Sequence, residues 1–297
     1  MTNNSTKTRQ QVVEKFHGLG LTWVRAEDVL TSAYAAAMLV EEQLCIPKDK
    51  KIYVVGHEGI VDELQRCGYT CVGSDAHAKL EPDLKQGVQV DADIGAVVVG
   101  FDLHFNYYKM VYASQCVLTL PGCAFVATNT DALAHVTPDA EWPGGGTMVH
   151  ALRHAIGRDP IVAGKPSDFL VDLLYHHHLT WNAQHLLPPT AQPAANENEQ
   201  QAGQAGQQQQ DQKQEQVLCD KIPKRDKALA AQELGKMCMV GDRLDTDIVF
   251  GHQAGMKTLL VFSGVTGPDR LDAELERLQT PKPHFLADSL ASLLPSQ

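Results

Sequence analysis

The sequence predicts an α/β fold with largely parallel sheets, and two observations carry that expectation. Short apolar runs dominated by Val and Ile recur along the chain: IYVVG at 52–56, AVVVGF at 96–101, IVAG at 161–164, CMVG at 238–241 and TLLVF at 258–262. Such runs, with no polar alternation, suit strands buried on both faces, as in parallel sheets. Between them lie stretches with apolar residues at helical spacing, AYAAAMLVEEQL (33–44), EGIVDELQRCG (58–68) and GTMVHALRHAIG (146–157). Gly68 and Gly157 stand where two of these helices would close, since glycine enters the left-handed region without steric cost.

With 297 residues the chain can bury a substantial core, and two modules are expected. A net charge of -11 argues against a nucleic-acid partner, which calls for a basic face; an anionic substrate would need a locally positive pocket. The seven cysteines, Cys45, Cys67, Cys71, Cys116, Cys123, Cys219 and Cys238, are odd in number and form no C-x-x-C pair. They predict reduced, buried thiols rather than a disulfide framework or a zinc ribbon. No apolar run approaches the roughly 18 to 20 residues that a membrane span needs, so a soluble cytoplasmic protein without a membrane partner is expected.

Residues 182–216 are rich in Gln, Ala, Asn and Pro and lose all periodicity, which predicts a disordered insertion emerging as a surface loop. Composition alone favours low-complexity expansion over a partner-binding role. His176, His177 and His178, with His185 nearby, make poor chelates because consecutive residues on a helix diverge, so a solvated helix end is expected.

Three segments point to one site. In GDRLDTD (241–247), carboxylates follow a strand and precede a helix, the edge where open α/β sheets bind ligands. Asp242, Asp245 and Asp247 are costly to gather unless a cation neutralises them, and hard oxygen ligands suit Mg²⁺. In AGKPS (163–167), Lys165 follows a strand and a glycine and precedes Pro166, which disfavours helix at the lysine and directs it toward the same crevice. In TNNSTKTR (2–9), a hydroxyl and amides precede an amphipathic helix closing on Gly18 or Gly20, the makings of an anion cradle at a helix start.

Taken in order, TNNSTKTR, EDVLTSAYAAA, VVVGFDLHFNYYKM, ATNTDA, AGKPS, MVGDRLDTDI and AGMKTLLVFSGVT resemble the haloacid dehalogenase-like phosphatases, in the branch of 4-nitrophenylphosphatase, phosphoglycolate phosphatase and pyridoxal phosphatase. The resemblance implies a Rossmann-like core of parallel strands with an inserted α/β cap: core at 1–44 and 158–297, cap at 45–157. It implies that Thr2, Asn3 and Asn4 hold phosphoryl oxygens and that Lys165 neutralises nucleophile and phosphate. It further implies that Asp242 ligates Mg²⁺, that Asp247 orients metal-bound water, and that two copies can pair through the cap. NTDALAHVTP resembles the family's substrate-specificity loop, which places Asn129, Asp131 and His135 near the leaving group. Phe105, Tyr107 and Tyr108 read as cap core rather than substrate contacts.

The family's nucleophilic Asp lies in a D-x-D-G-T/V loop upstream of the TNN motif, where this chain has only Met1. Asp91 with Asp93 precede a strand, and Asp245 with Asp247 already belong to the metal motif, so neither pair replaces it. The expectation is therefore a truncated core lacking its first two strands, with 28–33 (DVLTSA) left as a stranded third one and stability impaired. The complete protein would hydrolyse small phosphate monoesters through an aspartyl-phosphate. The competing reading is an inactive relative that binds a phosphorylated ligand or a protein partner. A nucleotide-binding dehydrogenase is disfavoured, because no G-x-G-x-x-G follows a strand.

Overall fold

A computed structural model describes residues 1–137, 140–185 and 225–293. Five parallel strands form the main sheet: β1 (Lys51–Val55), β2 (Thr70–Gly73), β3 (Ile94–Val99), β4 (Ala124–Ala127) and the two-residue β7 (Ile161–Val162), in the order β2-β1-β3-β4-β7. A second parallel sheet of three strands has the order β10-β9-β8, formed by β8 (Cys238–Gly241), β9 (Lys257–Val261) and β10 (Phe285–Ala287). The antiparallel hairpin β5 (Leu133–Thr137) and β6 (Ala140–Pro143) stands apart.

The apolar runs become strands for the reason expected: both faces of the main sheet are buried. Ile52, Val54, Ala96, Val98 and Val126 face one apolar cluster, while Tyr53, Val55, Val97, Val99, Phe125 and Ala127 face another. This alternation is the period-two geometry of a strand. The first cluster is closed by α2 (Ser32–Met38), α3 (Glu58–Arg66), α6 (Asp168–His185) and α7 (Lys227–Leu234). The second is closed by α4 (Tyr107–Thr119) and α5 (Gly145–Ile156). Gly157 ends α5 in the left-handed region at φ 71°, and Gly68 follows α3 at φ 83°.

Several expectations change. The boundary at 157 falls between β4 and β7 of one hydrogen-bonded sheet, because the short β7 finds its backbone partners on β4. Segment 28–33 is not a stranded strand: Thr31 bridges Thr2 in parallel, Thr2 N–H donates to Leu30 O, Ser32 N–H donates to Thr2 O, and α2 starts at Ser32. Ala33 and Ala35 to Ala37 of α2 are fully buried, so the segment is packed into the core. The expected insertion at 182–216 lies outside the described residues except for 182–185, the last turn of α6.

His177 is not at a solvated end. It packs edge-on against Tyr34, with Nε2 3.2 Å from the Tyr34 hydroxyl, and burial holds its ring pKa down to about 4. Among the described cysteines all are free, yet only Cys116 and Cys123 are buried. Phe105 and Tyr108 pack against the second cluster as expected, whereas Tyr107 is exposed. Among the described residues no helix is long and apolar enough to cross a membrane.

Candidate active site

At the ends of four strands a glycine precedes a side chain that lines one cavity of about 1150 Å³: Gly56 and His57 just after β1, Gly100 and Phe101 just after β3, Gly164 and Lys165 shortly after β7, and Gly241, the last residue of β8, with Asp242. The cavity thus lies at the carboxyl ends of strands from both parallel sheets, where α/β folds bind ligands. Glycine is required at these turns by close approach. A Cβ on Gly241 would stand 2.3 Å from the Asp247 carboxylate, and one on Gly164 would stand 2.4 Å from Thr128 O.

The deepest polar contact is Lys165 Nζ donating to Asp247 Oδ1 at 2.5 Å, with both side chains buried. Asp247 Oδ2 accepts the main-chain N–H groups of Asp242 at 3.1 Å and Arg243 at 3.2 Å. The Asp247 carboxylate therefore closes the loop after β8 onto the strand β7 side of the cavity. Asp242 Oδ2 accepts Val265 N–H at 2.8 Å, and its other oxygen carries no hydrogen bond among the described residues.

The expected trio of metal-seeking aspartates separates into three partnerships. Asp245 forms a two-pronged pair with Arg243, at 3.1 and 2.7 Å, and Asp247 belongs to Lys165. Among the described residues no three metal-ligating side chains converge. These residues offer a divalent cation one carboxylate, Asp242, and do not make a metal site by themselves.

Asn3 is the hub of the other wall. Its Oδ1 accepts Lys165 N–H at 2.9 Å, and its Nδ2 donates to Asp131 Oδ1 at 3.0 Å and to Lys165 O at 3.2 Å. Its main-chain oxygen accepts from Ser32 Oγ at 2.6 Å and Asn129 Nδ2 at 2.8 Å. Asn129 Oδ1 in turn accepts Asp131 N–H at 3.1 Å. The amides of Asn3 and Asn129 are thus spent on holding three loops together rather than left for a ligand. Thr2 uses its hydroxyl oxygen to accept Asn4 N–H at 3.2 Å, while Asn4 Oδ1 accepts from the main chain and hydroxyl of Thr6. The Thr2 hydroxyl proton is left to donate.

The helix that follows, α1 (Arg9–Gly18), is closed at its start by a capping box of Thr8 and Gln11. The anion cradle expected there is accordingly the loop 2–6 itself, not a helix N-terminus. Asp131 lines the cavity, and burial raises its carboxyl pKa against the opposing pull of Arg243 and Asn3. Burial opposes the charge of Arg243, but its bonds to Asp245 outweigh that and hold it above the ordinary guanidinium value. His135 lies on β5 opposite Glu141, and its side chain is outside the described set.

Lining cations are Lys7, Lys15, Lys165 and Arg243, matched by Glu14, Asp131, Asp242 and Asp247, so the cavity is mixed rather than uniformly positive. Sequence reading missed Ser32, Arg243, His57 and Phe101. The strand–Gly–X pattern could have found the last two, and an Arg two residues before an Asp could have paired Arg243 with Asp245.

Fold and cavity are compatible with the haloacid dehalogenase-like class, and the comparisons with known proteins decide the membership. Family profiles described as haloacid dehalogenase-like hydrolase and HAD-hydrolase-like match residues 1–70 and 217–293. The chain is 37% identical to phosphoglycolate phosphatase 2 of Arabidopsis thaliana over 99% of its own length and 80% of the relative's. It is 39% identical to the chloroplastic phosphoglycolate phosphatase 1A of the same plant, covering 99% of this chain and 66% of the relative. The p-nitrophenyl phosphatase of Archaeoglobus fulgidus superposes with a TM-score of 0.66 at 25% identity, over 97% of this chain and 81% of that one. The chain belongs to the haloacid dehalogenase-like hydrolases, in the branch of these phosphatases.

Proposed function

We propose that this chain carries the phosphate-holding part of a phosphatase that hydrolyses small phosphate monoesters, of the phosphoglycolate or 4-nitrophenyl phosphate kind. One observation carries the reading: Lys165, Asp247, Asp242, Asn3, Asp131 and the Thr2 hydroxyl converge on one cavity from segments up to 245 positions apart in the sequence. The names of the relatives supply the substrate class.

In this reading the Lys165 ammonium and the Thr2 hydroxyl donate to phosphoryl oxygens. Asp247 holds the ammonium in place, and Asn3 fixes the main chain of Lys165 on both sides of its Cα. Preorganised donors of this kind stabilise charge without reorganising during reaction. The family resemblance assigns the nucleophile to an aspartate of a D-x-D-G-T/V loop, and no residue of the cavity is given that role here. Magnesium is the cation this reading adds, with Asp242 the one carboxylate the described residues offer it, and no step is built on it. The cytoplasm is the proposed compartment.

The test joins the chain to a segment carrying the family's D-x-D-G-T/V loop and measures phosphate release from 2-phosphoglycolate and 4-nitrophenyl phosphate with magnesium. Release that disappears in Lys165→Ala supports the proposal. A folded joined protein that releases none from either ester would count against it and favour the competing reading, a relative that binds phosphorylated ligands without turnover.

A further inference from the structure

Asp102 and Lys109 form an ion pair of 2.7 Å with side chains 3% and 0% exposed, and neither is among the residues lining the cavity. Ionising two groups inside a protein is costly, and an apolar pair of similar volume packs as well or better. Packing alone therefore does not account for it. What an ion pair adds is a fixed direction between two points of the chain.

Those two points bracket a loop that faces the cavity. Asp102 lies between Phe101 and Leu103, both of which line the cavity. Asp102 opens a turn in which Phe105 N–H donates to Asp102 O at 3.3 Å, so the inward-drawn Asp102 carboxylate fixes the start of that turn between Phe101 and Leu103. Leu103 is 54% exposed at the cavity wall, and the ring of Phe101 stacks on His57 at 5.9 Å and 18°. The other oxygen of Asp102 accepts His104 N–H at 2.8 Å, which turns the chain immediately after Leu103. At the far end, Asn106 caps α4 by accepting Lys109 N–H at 2.9 Å, and its amide donates to His77 O and Ala78 O.

We propose that the Asp102–Lys109 pair is a positioning device. It holds Phe101 and Leu103 as the wall against the part of the substrate that leaves, and so sets which phosphate esters the cavity prefers. This rests on the phosphatase reading of the same cavity. Lys109 and Asp102 touch no substrate; they act through the two residues between and beside them.

Binding separates this from a merely structural role. The chain is titrated calorimetrically with 2-phosphoglycolate, 4-nitrophenyl phosphate and inorganic phosphate, the last of which has no leaving group to meet the wall. In Lys109→Met, and in the apolar pair Asp102→Leu with Lys109→Met, the ratio of the two ester affinities should move by about tenfold, while affinity for inorganic phosphate stays within about twofold. Should Lys109→Met fail to fold, the apolar double variant and Asp102→Asn, which retains the bond to His104, carry the test. A folded variant whose three affinities all fall together, or whose ester ratio equals that of the parent, overturns the proposal. If the parent binds none of the three, the phosphatase reading itself has failed, and that result is distinct from a changed ratio.

Discussion

Lys165 and Asp247 should not be equivalent in stability, although they share one bond. Lys165→Met leaves the Asp247 carboxylate buried, with two main-chain N–H groups still bound to Oδ2. Removing one member of a buried pair costs roughly 3 to 5 kcal/mol, and the two surviving bonds to a charged acceptor keep this case near the lower end, about 3 kcal/mol. Asp247→Leu strands the Lys165 ammonium and also strips the N–H groups of Asp242 and Arg243. Each orphaned donor adds about 1 to 3 kcal/mol. The aspartate variant should therefore lose about 2 kcal/mol or more beyond the lysine variant. Urea unfolding at pH 7 reads this as a lower midpoint at unchanged slope. Equal losses, or a larger loss in Lys165→Met, would refute the idea that Asp247 anchors the loop after β8 as well as the lysine.

Three further outcomes are expected. His177 is held neutral, its folded value of about 4 standing below the 6.5 of the unfolded chain mainly through burial, with the charges of Arg9 and His176 adding to it. The unfolded state then takes up the proton first, so stability present above pH 6.5 should fall by about 3 kcal/mol toward pH 4. Unfolding midpoints across that range should flatten in His177→Gln, which cannot titrate. In Gly264→Ala the new Cβ would meet Asp242 Oδ2 at 2.1 Å, so a cost of about 1 to 3 kcal/mol and a displaced Asp242 are expected, read by thermal unfolding and by weakened binding of divalent cation in the joined protein. Asn3→Ala removes three side-chain bonds among the loops of Lys165 and Asp131 and should cost about 2 to 3 kcal/mol, with phosphate affinity falling alongside in calorimetric titration.

Five of the ten strands, β1, β3, β7, β8 and β9, were legible in the sequence as apolar runs, and so were two of the side chains that line the cavity. Apolar runs mark burial, and a glycine closing four of the five runs marks a tight turn, so Lys165 and Asp242 were legible from local pattern alone. The hydroxyl and amides of TNNSTKTR marked Thr2 and Asn3 as an anion cradle, and the family resemblance added Asn129 and Asp131, which no local pattern singles out. Only the tertiary structure decided who pairs with whom. Asp242, Asp245 and Asp247 look alike in the string GDRLDTD, yet one accepts from Val265, one from Arg243 and one from Lys165, 82 positions away. Asn3 meets Lys165 across 162 positions and Asn129 across 126, and His177 finds Tyr34 across 143. Periodicity records whether a side chain is buried, because solvent exposure repeats with the local geometry of helix or strand. It does not record the partner, because partners are set by how the sheets and helices pack, and a buried polar group must bond to whatever that packing brings within reach.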